Sequence, residues 1–244
     1  MHFDRDIYFS NVREELFFGA LTQQQVDGQG ILLGLWEGQY TGTPMTDIRW
    51  LAYILATVYH ECATTMWPIT EQGSQEYLQS KEYWPYIGRG FVMLTWEGNY
   101  RNASAQLSLT GDRDLVDHPE MALDSLISAR VLFRGMAEGW YTGRKLGEYF
   151  NDDPEDPKDD PVNARQIVNG NDDDLLIAGY HASFLLALTL SMEDTGLPAQ
   201  TSGGGDTLEP TVPPTMSEQP TIINVQTPPG VGVVIHLNGE ELTT

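Results

Sequence analysis

Apolar residues recur at helical spacing along most of the chain before Leu197. Thr22-Gln23-Gln24-Gln25 is a capping-box pattern and predicts a helix running to Trp36, although Gly28, Gly30 and Gly34 weaken it. Thr46-Asp47 caps a second helix, which passes through Trp50, Leu51, Ile54, Leu55 and Val58 to about Thr64. Its apolar residues wrap most of the circumference, the pattern of a buried central helix. Residues 68–96 are rich in Gly, Pro and aromatics and predict irregular loops with short strands. Helical periodicity returns over Glu97–Leu107 and again over 119–137, where Pro119 suits a first helical position. Short helices are expected near 144–150 and 162–168. Asp172 opens a last long helix with Leu176, Ile177, Tyr180, Phe184, Leu185 and Leu188 on its inner side.

The pattern changes at Pro198. Thr201-Ser202-Gly203-Gly204-Gly205, followed by Pro210, Pro213, Pro214 and Pro220, reads as a linker, flexible first and then stiff. Residues 231–237 alternate and are β-branched, and Asn238-Gly239 follows, so this stretch is expected as a hairpin or an edge strand. The chain therefore divides into a domain over 1–197, a Pro/Gly-rich linker over 198–221 and a short β-prone tail over 222–244. The tail is too small to fold well alone, and a particle or baseplate protein is the partner it would dock to. All six Trp lie between Trp36 and Trp140, while half of the fourteen Pro follow Leu197, which places the core in the first domain.

A net charge of −22 makes nucleic acid a poor partner and disfavours an anionic membrane or a wall rich in teichoic acid. The N-terminal stretch MHFDRDIYFS lacks a basic region followed by an apolar one, so it is not read as a secretory signal. The longest apolar run, over 50–59, is too short to insert into a bilayer. A chain made in the cytoplasm would then reach a target outside it through lysis or carriage on a particle. The lone Cys62 excludes an intrachain disulfide and is expected to be a small buried packing residue. The acidic runs 152–160 and 172–174 lack the spacing of a calcium loop and are read as a solvated loop and a helix N-terminal charge.

Candidate chemistry centres on Glu61, which falls in line with Trp50, Ile54 and Thr57 near the C-terminus of the second helix. Burial and the negative end of the helix dipole would both favour its protonated form, the state that a general acid needs. A buried glutamate paired with Arg89 or with a backbone group fits the same position. Residues 83–96 combine aromatics, which stack on sugar faces, with a Gly88-Arg89-Gly90 turn and hydrogen-bonding side chains.

Tyr59-His60-Glu61 with Thr64, then Tyr86, Gly88-Arg89-Gly90, Val92, Leu94-Thr95-Trp96 and Asn99-Tyr100, resemble the signature of family 19 glycoside hydrolases. The variant is similar to that of phage and bacterial cell-wall lysins. Phe133, Gly135-Met136, Gly139-Trp140, Thr142-Gly143, Ala164-Arg165, Ile167 to Gly170 and Ile177 to Tyr180 extend the likeness, in order, over about residues 5–190.

The resemblance implies a mainly α, two-lobed lysozyme-like fold, with a small loop and β region at a cleft between the lobes. It implies inverting hydrolysis of a β-1,4 bond next to an N-acetylated sugar, in peptidoglycan or in chitin, with no cofactor and no metal. Glu61 would be the acid. The base would lie in the following loop, where Glu71 fits best and Glu76 and Glu82 are alternatives. Thr95 and Asn99 would hold the water and the sugar amide, and Tyr86, Arg89 and Asn169 would line the cleft. One departure is Met93, where the family usually has Gln; a thioether is a poor replacement for a polar contact. A glycan-binding or structural particle component on the same fold is the reading of another class.

Overall fold

The computed structural model describes residues 1–40, 44–192, 235–237 and 240–242. Backbone contacts divide the chain into two units, Met1–Leu197 and Pro198–Thr244. The first is mainly helical. Its helices are α1 (Arg5–Leu16), α2 (Gln23–Leu35), α3 (Ile48–Glu61), α4 (Gln75–Gln79), α5 (Glu97–Leu107), α6 (Ser125–Glu138) and α7 (Asp174–Ser191). Two short antiparallel pairs complete it, β1 (Ile69–Thr70) with β2 (Arg89–Gly90) and β3 (Phe150–Asn151) with β4 (Lys158–Asp159). In the second unit, β5 (Ile235–Leu237) pairs antiparallel with β6 (Glu240–Leu242). That hairpin falls on the end of the alternating stretch; the linker over 198–221 lies outside the described residues.

Helix α3 is the centre of the first unit. Its residues from Leu51 to Tyr59 are all buried, as the all-round apolar pattern requires. The Asp47 side chain caps it by accepting from Arg49 N. Helix α7 lies along α3 and also packs on α1, while α2 packs against α6. The capping box at Thr22 and Gln25 is present and starts α2. A chain reversal then has to fit against that helix. A β-carbon at Gly28 would sit 1.7 Å from the Met66 carbonyl oxygen, so the loop after α3 approaches α2 as closely as only glycine permits. Gly28→Ala is expected to cost about 1–3 kcal/mol, the range for overpacking. Thermal denaturation checks this; an unchanged melting temperature would contradict the close approach.

Several elements differ from expectation. The stretch over 119–137 is not one helix. A 3-10 segment, Pro119–Leu123, precedes α6, and Asp124 restarts the chain by accepting from Leu126 N and Ile127 N. The helix expected near 144–150 is the single 3-10 turn Leu146–Glu148, and that near 162–168 is the 3-10 segment Asn163–Ile167. On α7 the inner residues are Ile177, His181, Phe184, Ala187, Leu188 and Ser191, whereas Leu176 is exposed. By length and composition α7 is apolar enough to cross a membrane, longer than the run over 50–59. Here its inner stripe packs on α3 and α1.

The acidic run 152–160 forms the tip and the β4 strand of the β3–β4 hairpin, where Asp152 pairs with Arg49. Asp173 precedes α7 in the left-handed region without a side-chain capping bond, and Asp174 occupies its first turn.

Candidate active site

Glu61 is the last residue of α3, and Cys62 closes the helix. The Cys62 thiol is fully buried, lies 3.5 Å from the Phe91 carbonyl oxygen and is pushed up by burial, so it is a packing residue. It ties the end of α3 to the loop after β2. From the other side, Ser128 Oγ of α6 accepts from Phe91 N at 2.7 Å. The loop over 91–96 is thereby held against two helices.

Backbone strain collects here. Of the eight non-glycine residues with positive φ among those described, five lie in the loop after Glu61 (Ala63, Thr64, Met66) or around Thr95 (Met93, Trp96). Such conformations persist only where surrounding contacts over-determine them, and they cluster at functional sites.

Glu61 opens into a pocket of about 370 Å³ shared with Val92, Met93, Leu94, Thr95, Trp96, Asn99, Tyr141, Val168 and Asn169. Thr95 Oγ1 donates to Met93 O, and Asn99 Nδ2 donates to Thr95 O, both at 2.8 Å. These contacts fix both side chains. The Asn99 amide oxygen has no hydrogen bond among the described residues. Asn169 is exposed and shares the lining. Trp96 is half exposed at the rim and stands edge-on to Tyr83 at 5.2 Å.

The carboxyl of Glu61 does not meet Arg89. Arg165 Nη1 donates to its Oε1 at 2.5 Å, and Arg165 is only 4% exposed. Arg165 is itself anchored through Nε to the Asp172 carbonyl at 3.0 Å. The shielded environment expected from the helix pattern is present, with Glu61 16% exposed, but a buried cation stands in it as well. Among the described residues, Glu61 Oε2 accepts no hydrogen bond.

Glu71 follows β1 and is fixed at both oxygens. Tyr83 donates to Oε1 at 2.8 Å and Gly88 N to Oε2 at 3.0 Å. The bond to Glu71 pushes the Tyr83 hydroxyl up to about 12, so it remains a donor. A β-carbon placed on Gly88 would lie 3.4 Å from both Glu71 Cβ and Thr95 Oγ1, and 3.0 Å from Met93 Cε. Gly88 is therefore the point where the carboxylate-bearing loop meets the wall of the Glu61 pocket. Glu76 sits on the exposed first turn of α4, where its own backbone N–H and Ser74 hold it below the usual carboxylate range. Glu82 is exposed.

Tyr86 and Arg89, expected to line the cleft, do not line the Glu61 pocket. Tyr86 packs on Tyr100 and donates to Val116 O at 3.3 Å. Arg89 Nη1 donates to Pro85 O and to the Tyr100 hydroxyl, each at 3.0 Å. Both brace the turn from behind. Conversely, Arg165, Tyr141 and Val168 enter the site without having been singled out for it. Arg165 and Val168 lie in the Ala164 to Gly170 stretch that carries part of the sequence resemblance, which is the signal that could have found them.

No protein-family model matches the chain, and no curated protein matches it. Solved structures do. Chitinase C from Streptomyces griseus is 16% identical over 78% of this chain and 96% of that one, with a TM-score of 0.47. A bacterial family 19 chitinase is 19% identical over 78% and 98%, with a TM-score of 0.45. A mutant chitinase C is 17% identical over 78% and 97%, also at 0.45. At these identities the likeness concerns the course of the chain alone.

Proposed function

We propose that the chain hydrolyses β-1,4-glycosidic bonds next to N-acetylated sugars, with inversion, and that its substrate is the glycan strand of peptidoglycan. The supporting observation is Glu61 in a pocket beside Thr95 and Asn99, with Glu71, which does not itself line that pocket, clamped by Tyr83 and by Gly88 N next to Thr95. An inverting glycosidase needs one carboxylic acid to protonate the leaving oxygen and a separate carboxylate to activate water on the other face.

In this reading Glu61 gives its proton to the glycosidic oxygen as the C1–O bond breaks. Arg165 then faces the carboxylate left behind. Glu71, its two oxygens oriented by Tyr83 and Gly88, takes a proton from the attacking water with a remaining lone pair. Thr95 and Asn99 hold that water and the sugar amide. The lysin-type motifs favour peptidoglycan as the substrate, acted on by a phage endolysin or a particle-borne lysin. A charge of −22 suits a wall poor in teichoic acid.

The mechanism fixes the stereochemistry. Early proton NMR of a short oligosaccharide digest is expected to show the α anomer first, before mutarotation. An initial β product would mean retention, and the two-carboxylate assignment would fall.

A further inference from the structure

The rim of the Glu61 pocket carries a side chain to which the proposed reaction assigns no part. Trp96 is the most exposed of the six tryptophans, at 50%. Trp36 is fully buried, and Trp50 and Trp140 spend their indole N–H groups on Phe150 O and on Glu138. Trp96 instead lines the pocket beside Glu61, Thr95 and Asn99. A ring of that size left half in water forgoes much of the burial that stabilises a fold.

The backbone adds a second cost. Trp96 has a φ of 75° and a ψ of 137° and is the N-cap of α5, without a side-chain capping bond. Glycine adopts such a conformation freely and serves well as an N-cap, so the local fold does not call for an indole here. The position is nevertheless held firmly. Trp96 N donates to Tyr86 O at 2.9 Å, and Trp96 O accepts from Asn99 N at 3.0 Å and Tyr100 N at 3.1 Å. The ring stands edge-on to Tyr83 at 5.2 Å, and the Tyr83 hydroxyl is the one that donates to Glu71. Trp96 therefore lines the pocket of the proposed acid and packs on the tyrosine that holds the proposed base.

We propose that Trp96 is the platform on which a sugar ring of the substrate stacks. A pyranose ring carries C–H groups on its faces and hydroxyls around its edge. A rigid, half-exposed indole matches the face, and Thr95, Asn99 and Asn169 supply polar groups for the edge. The charge pattern favours a neutral ligand. Glu61 is the one ionisable carboxyl or basic group lining the pocket, and Arg165 is paired with it. The inference takes the nature of the ligand from the functional reading above, but it does not require hydrolysis.

Binding to the full chain carrying Glu61→Gln tests the platform apart from turnover. The probes are a soluble oligosaccharide of the peptidoglycan glycan strand and chitin hexasaccharide, titrated by calorimetry. Adding Trp96→Gly, which suits the positive φ, is expected to keep the circular dichroism spectrum and weaken binding about tenfold or more, as loss of a tryptophan anchor does. Trp96→Tyr keeps a flat aromatic face and is expected to stay within about threefold. Trp96→Leu keeps apolar bulk without that face and is expected to bind as weakly as the glycine variant. Should Trp96→Gly fail to fold, the difference between the tyrosine and leucine variants decides alone.

Proton–nitrogen NMR places the contact. The indole N–H signal that disappears in Trp96→Tyr belongs to Trp96, and it is expected to shift as the oligosaccharide is added. Binding that is indifferent to Trp96→Gly and Trp96→Leu, or an indole signal that stays fixed while binding saturates, would overturn the platform and leave the functional reading standing. Binding that depends on Trp96 in a chain that hydrolyses nothing would keep the platform and overturn the functional reading. No binding of either oligosaccharide would overturn both.

Discussion

Glu61→Gln is expected to lower turnover by about 10²–10⁴-fold, the contribution of a positioned general acid, and to leave the fold intact. The substitution keeps the length and planarity of the side chain. The amide oxygen can still accept from Arg165 Nη1, so the contact that now measures 2.5 Å keeps a partner. What disappears is the transferable proton and the carboxylate that follows it. The variant therefore separates chemistry from architecture: steady-state kinetics should collapse while circular dichroism and substrate binding persist. Turnover near that of the unmodified chain would remove Glu61 from the mechanism. It would leave the Arg165 pair as a structural contact, as a buried glutamate with an ion partner can be.

Glu71→Gln is expected to follow, with a loss of about 10²–10³-fold, again in the range of acid–base catalysis. The clamp can survive the change. An amide oxygen can accept from Gly88 N, and the amide nitrogen can donate to Tyr83, whose hydroxyl reverses its role. A large drop in turnover would then report the lost base. Glu76→Gln and Glu82→Gln are the internal controls, since both side chains are exposed. Their turnover is expected to stay within about twofold of the parent, as surface changes away from such features usually do little. An inactive Glu76→Gln beside an active Glu71→Gln would move the base five residues along the loop. Three active variants would leave no base in this segment.

What could be read from the sequence was local. The capping box at Thr22, the Asp47 cap, the Glu97–Leu107 helix and the all-round burial of α3 each depend on residues within a turn or two of one another. The break at Asp124 was local as well. An aspartate that accepts from the backbone N–H groups two and three residues on is a helix start, and the apolar period running through it masked the signal. Long-range pairing was not legible. Arg165 reaches Glu61 across 104 residues, and no periodicity encodes which arginine a buried glutamate meets. Arg89, the nearer candidate in sequence, is spent on Pro85 and Tyr100 behind its own turn.

The loop around Glu71 shows the same limit from the other side. Its place after the acid helix marked it as the best second carboxylate, but its clamp depends on the register of β1 against β2. The antiparallel pairing of Thr70 with Arg89 brings Glu71 opposite Gly88, and the 81–86 turn brings Tyr83 over it. A slip of one residue in that two-residue ladder would have turned the carboxyl away. Likewise, hydrophobicity assigns Leu176 to the inner stripe of α7, whereas geometry gives that face to His181. A polar residue on an apolar stripe is where pattern reading is least informative and where, at Tyr53 and His181, two buried side-chain atoms lack a hydrogen bond among the described residues.

The most direct test of the central claim is a digest of purified peptidoglycan, run beside colloidal chitin, with reducing ends counted and products identified by mass spectrometry. The account predicts saccharide fragments with new reducing ends from peptidoglycan, released by the unmodified chain and not by Glu61→Gln. Release from chitin alone would keep the chemistry and correct the substrate. No new reducing ends from either polymer, with binding to both retained, would contradict the claim and make this fold a glycan-binding component.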